Sequence, residues 1–278
     1  MKKLMFCLVI VSLVGSLFSG EWEKTGNINL NVSQSSYSEN WQGEESSSLT
    51  WILNGNFSAQ KQLNPKLHNK NTLKLSFGQT HNQNEADNWE KPEKSSDLID
   101  LESVMRFTLG AYVDPFISFR LESQFLDGSN PNETKMFNPI TLTEAAGAAK
   151  VHIKNGKTEL TSRLGAAFKQ LQSAWVDGLI DENSGGIEYV NNFKTALLKD
   201  MVDYDSQLNI YKALYYSESD DANDDWKSVD VNWENNFVMQ LYKSVNINLY
   251  FQLLYDKELD SDVRVKETLG LGFAYKLF

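Results

Sequence analysis

The feature that most constrains the fold is a period of two in the apolar residues, repeated along almost the whole chain. It is clearest near the C-terminus. Val245, Ile247, Leu249, Phe251, Leu253 and Tyr255 alternate with Asn246, Asn248, Tyr250, Gln252 and Leu254. Further on, Leu269, Leu271, Phe273, Tyr275 and Leu277 alternate with Thr268, Gly270, Gly272, Ala274 and Lys276. Side chains of a strand point alternately to its two faces, so these are strands with one apolar face and one polar or small face. About twelve such segments are predicted. They begin with Ile28-Leu30-Val32, Leu49–Ser58 and Leu73–Phe77, and continue through Leu101–Leu109, Ile117–Phe125, Ile140–Ile153 and Leu160–Phe168. Ile187–Leu197, Tyr204–Tyr215 and Val229–Leu241 precede the closing pair. Ile140–Lys150 contains the run Glu144-Ala-Ala-Gly-Ala-Ala149, which also suits a short helix; it is assigned as strand.

The connections narrow the choice among all-β folds. Long ones (Gln34–Ser46, Thr80–Asp97, Asp127–Asn138, Gln170–Gly186, Ser217–Lys227, Asp256–Val263) take turns with short ones (Ala111–Pro115, Asn155–Lys157, Leu198–Asp203, Leu241–Lys243). Only Gln60–Asn71 breaks the alternation. Barrels of the bacterial outer membrane combine short periplasmic turns with longer outer loops. The predicted fold is therefore all-β: a transmembrane antiparallel β-barrel of about twelve strands, with long acidic outer loops. The last strand, Val263–Phe278, is expected to close it, and the barrel-assembly machinery is expected to engage that strand. One detail departs from the pattern. Phe278 falls in phase with Lys276, Ala274 and Gly272, not with the apolar set, which implies a bulge near the end or a loosely read terminal signal and leaves a soluble periplasmic barrel open.

Residues 1–20 read as a secretory signal peptide, leaving 21–278 as one barrel domain. Lys2 and Lys3 form a positive start, Leu4–Val14 an apolar run, and Gly15–Gly20 a small-residue zone, with cleavage expected near Ser19 or Gly20. The single cysteine, Cys7, lies in the apolar run, so the expected mature chain has no disulfide, thiolate metal site or cysteine nucleophile. Removing Lys2 and Lys3 takes the formal charge from −11 to −13, which argues against nucleic acid as a partner. A mean hydropathy of −0.42 does not exclude a membrane barrel, in which only alternate residues face lipid.

If the apolar faces meet outer-membrane lipid, the opposite faces line the lumen. Glu102 and Arg106, then Arg120, Glu122 and Gln124, lie opposite Met105, Phe107, Ile117, Phe119 and Leu121. Glu159, Arg163 and Lys169 follow, then Asp230 and Glu234. Glu102, Arg106, Arg120, Glu122, Gln124, Glu159, Arg163 and Glu234 are the candidate pore-lining residues. They would either fill a narrow barrel with ion pairs or select solutes by charge. No cofactor and no enzymatic activity are predicted. His68, His81 and His152 have no zinc spacing, and no nucleophile elbow is present. Asp221, Asn223 and Asp225 match the start of a calcium loop, but Trp226 replaces the required glycine and Asn232 the required glutamate. Acid in the long loops is expected to solvate them, and Trp41, Trp51, Trp89, Trp175 and Trp226, in or beside those loops, are candidates for an aromatic girdle.

Several motifs carry a resemblance. Gly26-Asn-Ile-Asn-Leu-Asn-Val-Ser-Gln34 is followed by Asn40-Trp41 and Gly43-Glu44. Lys94-Ser-Ser-Asp97 precedes a strand, and Ser123-Gln-Phe125 is followed by Asp127-Gly128. In these the chain resembles the domain of unknown function 3078 family, seen mainly in Bacteroidetes-like Gram-negative bacteria. The resemblance implies an outer-membrane barrel and supplies no activity. The role expected is passage or binding of a small solute through a charged lumen. The alternatives are a structural or display barrel with an occluded lumen and partner-binding loops and, less favoured, an outer-membrane enzyme.

Overall fold

The computed structural model describes residues 22–37, 46–84, 88–130, 132–174, 180–218 and 223–277. The predicted signal peptide, Trp41, Trp175, Asp221 and Phe278 lie outside them.

The period-two segments form β1 (Glu23–Ser35), β2 (Ser48–Asn64), β3 (Leu67–Asn82), β4 (Glu93–Arg106) and β5 (Asp114–Ser123). After the short β6 (Leu126–Asn130) and β7 (Glu133–Met136) come β8 (Ile140–Asn155), β9 (Thr158–Ser173), β10 (Ile180–Leu197) and β11 (Val202–Tyr216). A one-turn 3₁₀ helix, Asp224–Lys227, leads into β12 (Val229–Tyr242), β13 (Val245–Asp256) and β14 (Asp260–Lys276). Twelve of these strands close a barrel in the order β1-β14-β13-β12-β11-β10-β9-β8-β5-β4-β3-β2, while β6 and β7 pair with each other as a separate hairpin. Every pairing is antiparallel between sequence neighbours, apart from the β1–β14 closure and the β5–β8 step over the hairpin. The Ala-rich run Glu144–Ala149 is strand, paired on both sides.

The apparent exception in the loop rhythm disappears. Residues 60–71 are almost entirely the facing ends of β2 and β3, joined across Pro65-Lys66, with Asn64 Oδ1 accepting the Lys66 amide at 2.9 Å. Gln60, Lys61, Gln62, His68, Asn69 and Lys70 are polar on both faces, so periodicity could not mark them. The ladder holds them nonetheless, because paired amides do not depend on side-chain character. The alternation holds only in part: the expected long connection Asp256–Val263 is a tight turn, because β13 runs to Asp256 and β14 starts at Asp260, so polar and acidic residues read as loop are strand ends.

Register fixes the two faces. Ile28, Leu30, Leu53, Ile117, Leu164, Ile187 and Leu269 project outward, and Leu164 and Leu269 are 55% and 60% exposed. The inner face buries polar residues instead, among them Asn29, Asn31, Asp100, Thr143, Arg163, Asn246 and Asn248. Its apolar patch is small: Phe116 and Tyr211 pack on Ala145, Ala149, Ala167 and Ala213, with Trp226 resting against them. Trp226 is thus tucked toward the lumen and not in an outer girdle, whereas Trp51 faces outward near the long loops, against Phe77. Beside the barrel closure, Asn29 and Asn31 on β1 and Asn246 on β13 meet over Gly272 of β14. A Cβ at Gly272 would collide with their amide oxygens, so this position needs the missing side chain.

β14 pairs with β1 only over Gly272–Lys276 and Leu271, the last pair being Val32↔Leu271, and no bulge interrupts this stretch. Above it, residues 260–270 of β14 have β13 on one side and no strand partner on the other among the described residues.

Candidate functional site: a charged lumen

Ion pairs cross the inside of the barrel at mid-height. Lys74, in the middle of β3, donates to Glu234 of β12 at 3.0 Å and to Gln207 of β11 at 2.9 Å, on the opposite wall. Arg163 of β9 spans β8 and β5 to bond Glu102 of β4. Its path runs over the small inner face of β8, Ala145-Gly147-Ala149, and its guanidinium lies 5.4 Å from the Phe116 ring. Arg120 grips Asp100 with two bonds, Nε to Oδ1 at 2.9 Å and Nη2 to Oδ2 at 3.0 Å, and also meets Glu122 at 3.0 Å. Lys169 lies 3.8 Å from Asp230 and 3.5 Å from the Tyr211 ring. Charges this shielded persist only when matched and hydrogen-bonded, since removing one partner of a buried pair costs about 3–5 kcal/mol. A twelve-strand barrel is wider than one that ordinary side chains fill, and long charged side chains reaching across it bridge the difference.

Six of the eight predicted residues, Glu102, Arg120, Glu122, Arg163, Glu234 and Arg106, therefore face the lumen with charged partners. Arg106 sits near the short-turn end, 3.7 Å from Asp114. Glu159 also faces inward, opposite Lys194 in register, but has no ion pair within 4.0 Å among the described residues. Gln124 is a correction: β5 ends at Ser123, and Gln124 instead bonds the Asn138 carbonyl at 2.7 Å in the loop. Lys74, Asp100 and Gln207 were missed. Their signal was present in the alternation of β3, β4 and β11, but which walls face each other across the lumen is not written in any one strand.

Two of the motifs behind the family resemblance, Lys94–Asp97 and Ser123–Asp127, meet at the long-loop rim. Asp97 accepts the amides of Phe125 and Leu126 at 2.6 and 3.0 Å, and Lys94 bonds Gln124 at 2.7 Å and lies 3.2 Å from Asp97. Asp127, 1% exposed, accepts from Ser129 and from Asn138, whose own amide oxygen takes the Ala174 N–H at 2.7 Å. Lys94-Ser-Ser-Asp97 and Ser123–Asp127 thus form one clasp that roots the β6–β7 hairpin. In another loop, Asp225 bonds Lys257 at 2.7 Å and Asn223 at 2.6 Å. The hydrogen bond from Lys257 holds its carboxyl below the ordinary value. Among the described residues no group of His, Cys, Asp and Glu is placed to hold a metal ion.

Comparison with known proteins agrees with the family resemblance. Residues 32–128 match the family model described as protein of unknown function (DUF3078). This segment runs from β1 through the clasp. No curated protein matches the sequence. Among solved structures, the translocator domain of the autotransporter NalP from Neisseria meningitidis is 11% identical, with 98% of this chain and 94% of that one covered and a TM-score of 0.37. An outer-membrane channel from Pseudomonas putida F1 is 12% identical over 94% and 97%, with a TM-score of 0.41. The beta domain of the Bordetella autotransporter BrkA is 8% identical over 92% and 99%, with a TM-score of 0.34.

Proposed function

We propose that the chain spans the outer membrane as a narrow barrel and that its charged lumen binds a small polar solute and passes it slowly. The carrying observation is the inversion of the two faces: large apolar side chains project outward all around the wall, while the inside holds asparagines, hydroxyls and ion pairs. A soluble barrel has the opposite need, because water outside and a packed apolar interior would place these residues the other way round. Closure also leaves most backbone amides paired within the wall, which hydrocarbon demands. The unpartnered upper edge of β14 supports this strand as the one the assembly machinery meets.

The bridge between Lys74 and Glu234 sets how wide the passage is. In planar bilayers the wild-type barrel should conduct weakly, and Lys74→Ala combined with Glu234→Ala, which removes both charges together, should raise single-channel conductance several-fold. A wild-type conductance of porin size, unchanged in the double variant, would overturn the narrow-lumen reading. The bridges also favour a second reading, a barrel sealed by side chains whose loops bind a partner. Absence of conductance in both proteins, with no solute bound, would select it.

A further inference from the structure

Most inner-face cations have an acid: Lys74 has Glu234, Arg120 has Asp100, Arg163 has Glu102, Lys169 has Asp230 and Lys194 has Asp205. Among the described residues Lys70, Arg264 and Lys266 have none, and the last two stand side by side. Arg264 and Lys266 share the inner face in the outer half of β14, opposite Leu254 and Gln252 of β13. Arg264 Nε and Nη2 are shielded from solvent and have no hydrogen-bond acceptor among the described residues. Lys266 reaches across to β4, where the Ser95 carbonyl and Ser96 Oγ each lie a long 3.4 Å away. The hydroxyl of Ser95 is itself buried without a partner. Such groups are expensive to leave unmatched, above all a guanidinium, and a chain with 37 acidic residues against 26 Lys and Arg has no shortage of carboxylates to pair with it.

The shape of what is missing can be read from a neighbour. Arg120 holds the Asp100 carboxylate through Nε and Nη2, the two nitrogens along one edge of its guanidinium. The same two nitrogens are the unmatched ones on Arg264. That edge presents parallel donors spaced for two oxygens of one carboxylate or phosphate group. Lys266 adds a second charge on the same face, two residues along the strand. Both stand on the stretch of β14 that has no strand partner on its β1 side among the described residues.

We propose that Arg264 and Lys266, with the Ser96 hydroxyl of β4 facing Lys266, form a binding site for an oxyanion, the carboxylate or phosphate group of a small solute or of a lipid headgroup. This rests on the solute-binding reading of the lumen and names the class of solute.

The test is calorimetric titration of the full barrel, in neutral detergent, with acetate and with inorganic phosphate. At least one anion should bind, and Arg264→Gln with Lys266→Gln should weaken it about tenfold or more. Arg264→Lys, which keeps the charge but loses the fork, should weaken it less and guards against a double variant that fails to fold. Lys61→Gln, away from the lumen's outer half, should change nothing. Repeating the titration in vesicles of phosphatidylcholine with and without phosphatidylglycerol separates the sources. Loss of phosphate binding when phosphatidylglycerol is present identifies a headgroup, persistence identifies a free solute, and either supports the site. No anion bound by the wild type, or equal binding by wild type and the folded variants, would overturn it. Binding by a barrel that conducts nothing would leave the site standing while the passage reading fell.

Discussion

At the scale of single residues, the charged groups divide by what surrounds them. Inside the barrel Asp100, 4% exposed, is tolerable because both its oxygens accept from Arg120. In the turn after β13, Glu258 has no such donor. Loss of hydration, then the charges of Asp256, Asp230 and Glu182, push its carboxyl up to about 7. A carboxyl whose folded value lies above its unfolded one binds extra protons when folded, so its contribution favours the folded loop at low pH. That contribution declines as pH rises from the ordinary glutamate range through 7. A titration of labelled glutamate carboxyls should show one group with a midpoint near 7, absent in Glu258→Gln. In that variant the thermal midpoint should also vary less with pH between 5 and 7. A normal glutamate midpoint at this position would contradict the crowding described for the loop.

At the scale of elements, the clasp between the start of β4 and the end of β5 explains why Lys94–Asp97 and Ser123–Asp127 occur as paired motifs. Asp97 is shielded and holds two backbone amides, and hydrogen bonds to a charged acceptor contribute about 1.5–3 kcal/mol each. Asp97→Ala should therefore release the β6–β7 hairpin without opening the barrel. Limited proteolysis should cut faster within residues 124–139, while the folded barrel keeps its electrophoretic mobility. Equal cleavage rates would show that the hairpin is held by other contacts. The clasp was visible in sequence as motifs but not as a contact, because Asp97 and Ser123 lie far apart along the chain and only strand pairing brings them together. Gln124 was misplaced for a related reason: its alternation continues that of β5, yet the strand stops at Ser123, where Asp97 captures the next amides. The opposite error occurred at residues 60–71, where strands polar on both faces looked like a loop.

At the scale of the whole molecule, the proposal of a membrane barrel rests on the outward apolar surface and on ladders that leave few strand edges free. Extracted from outer membranes, the protein should migrate as a compact band in detergent and shift on boiling, as closed barrels do when their ladders are broken. Recovery as a folded monomer in detergent-free buffer would end that proposal. Glycine at position 272 bears on the same closure. Gly272→Leu would force a side chain among the amides of Asn29, Asn31 and Asn246, and overpacking of this kind costs about 1–3 kcal/mol, so the unboiled band should convert at a lower temperature.

By itself the sequence determined the strand period, the approximate strand number and which side chains share a face. These are local properties, fixed by the two-residue repeat of the extended backbone. It also placed charge on the inner face. What it could not contain was the pairing of that charge across the lumen, because Lys74 and Glu234, or Arg163 and Glu102, become neighbours only when the sheet closes on itself. Closure also decided that β1 and β14 pair only as far as Val32 and Leu271, so that Arg264 and Lys266 have no strand on that side and no ion pair among the described residues. The positions of opposite walls depend on strand number, tilt and register acting together, so that part of the site belongs to the tertiary structure.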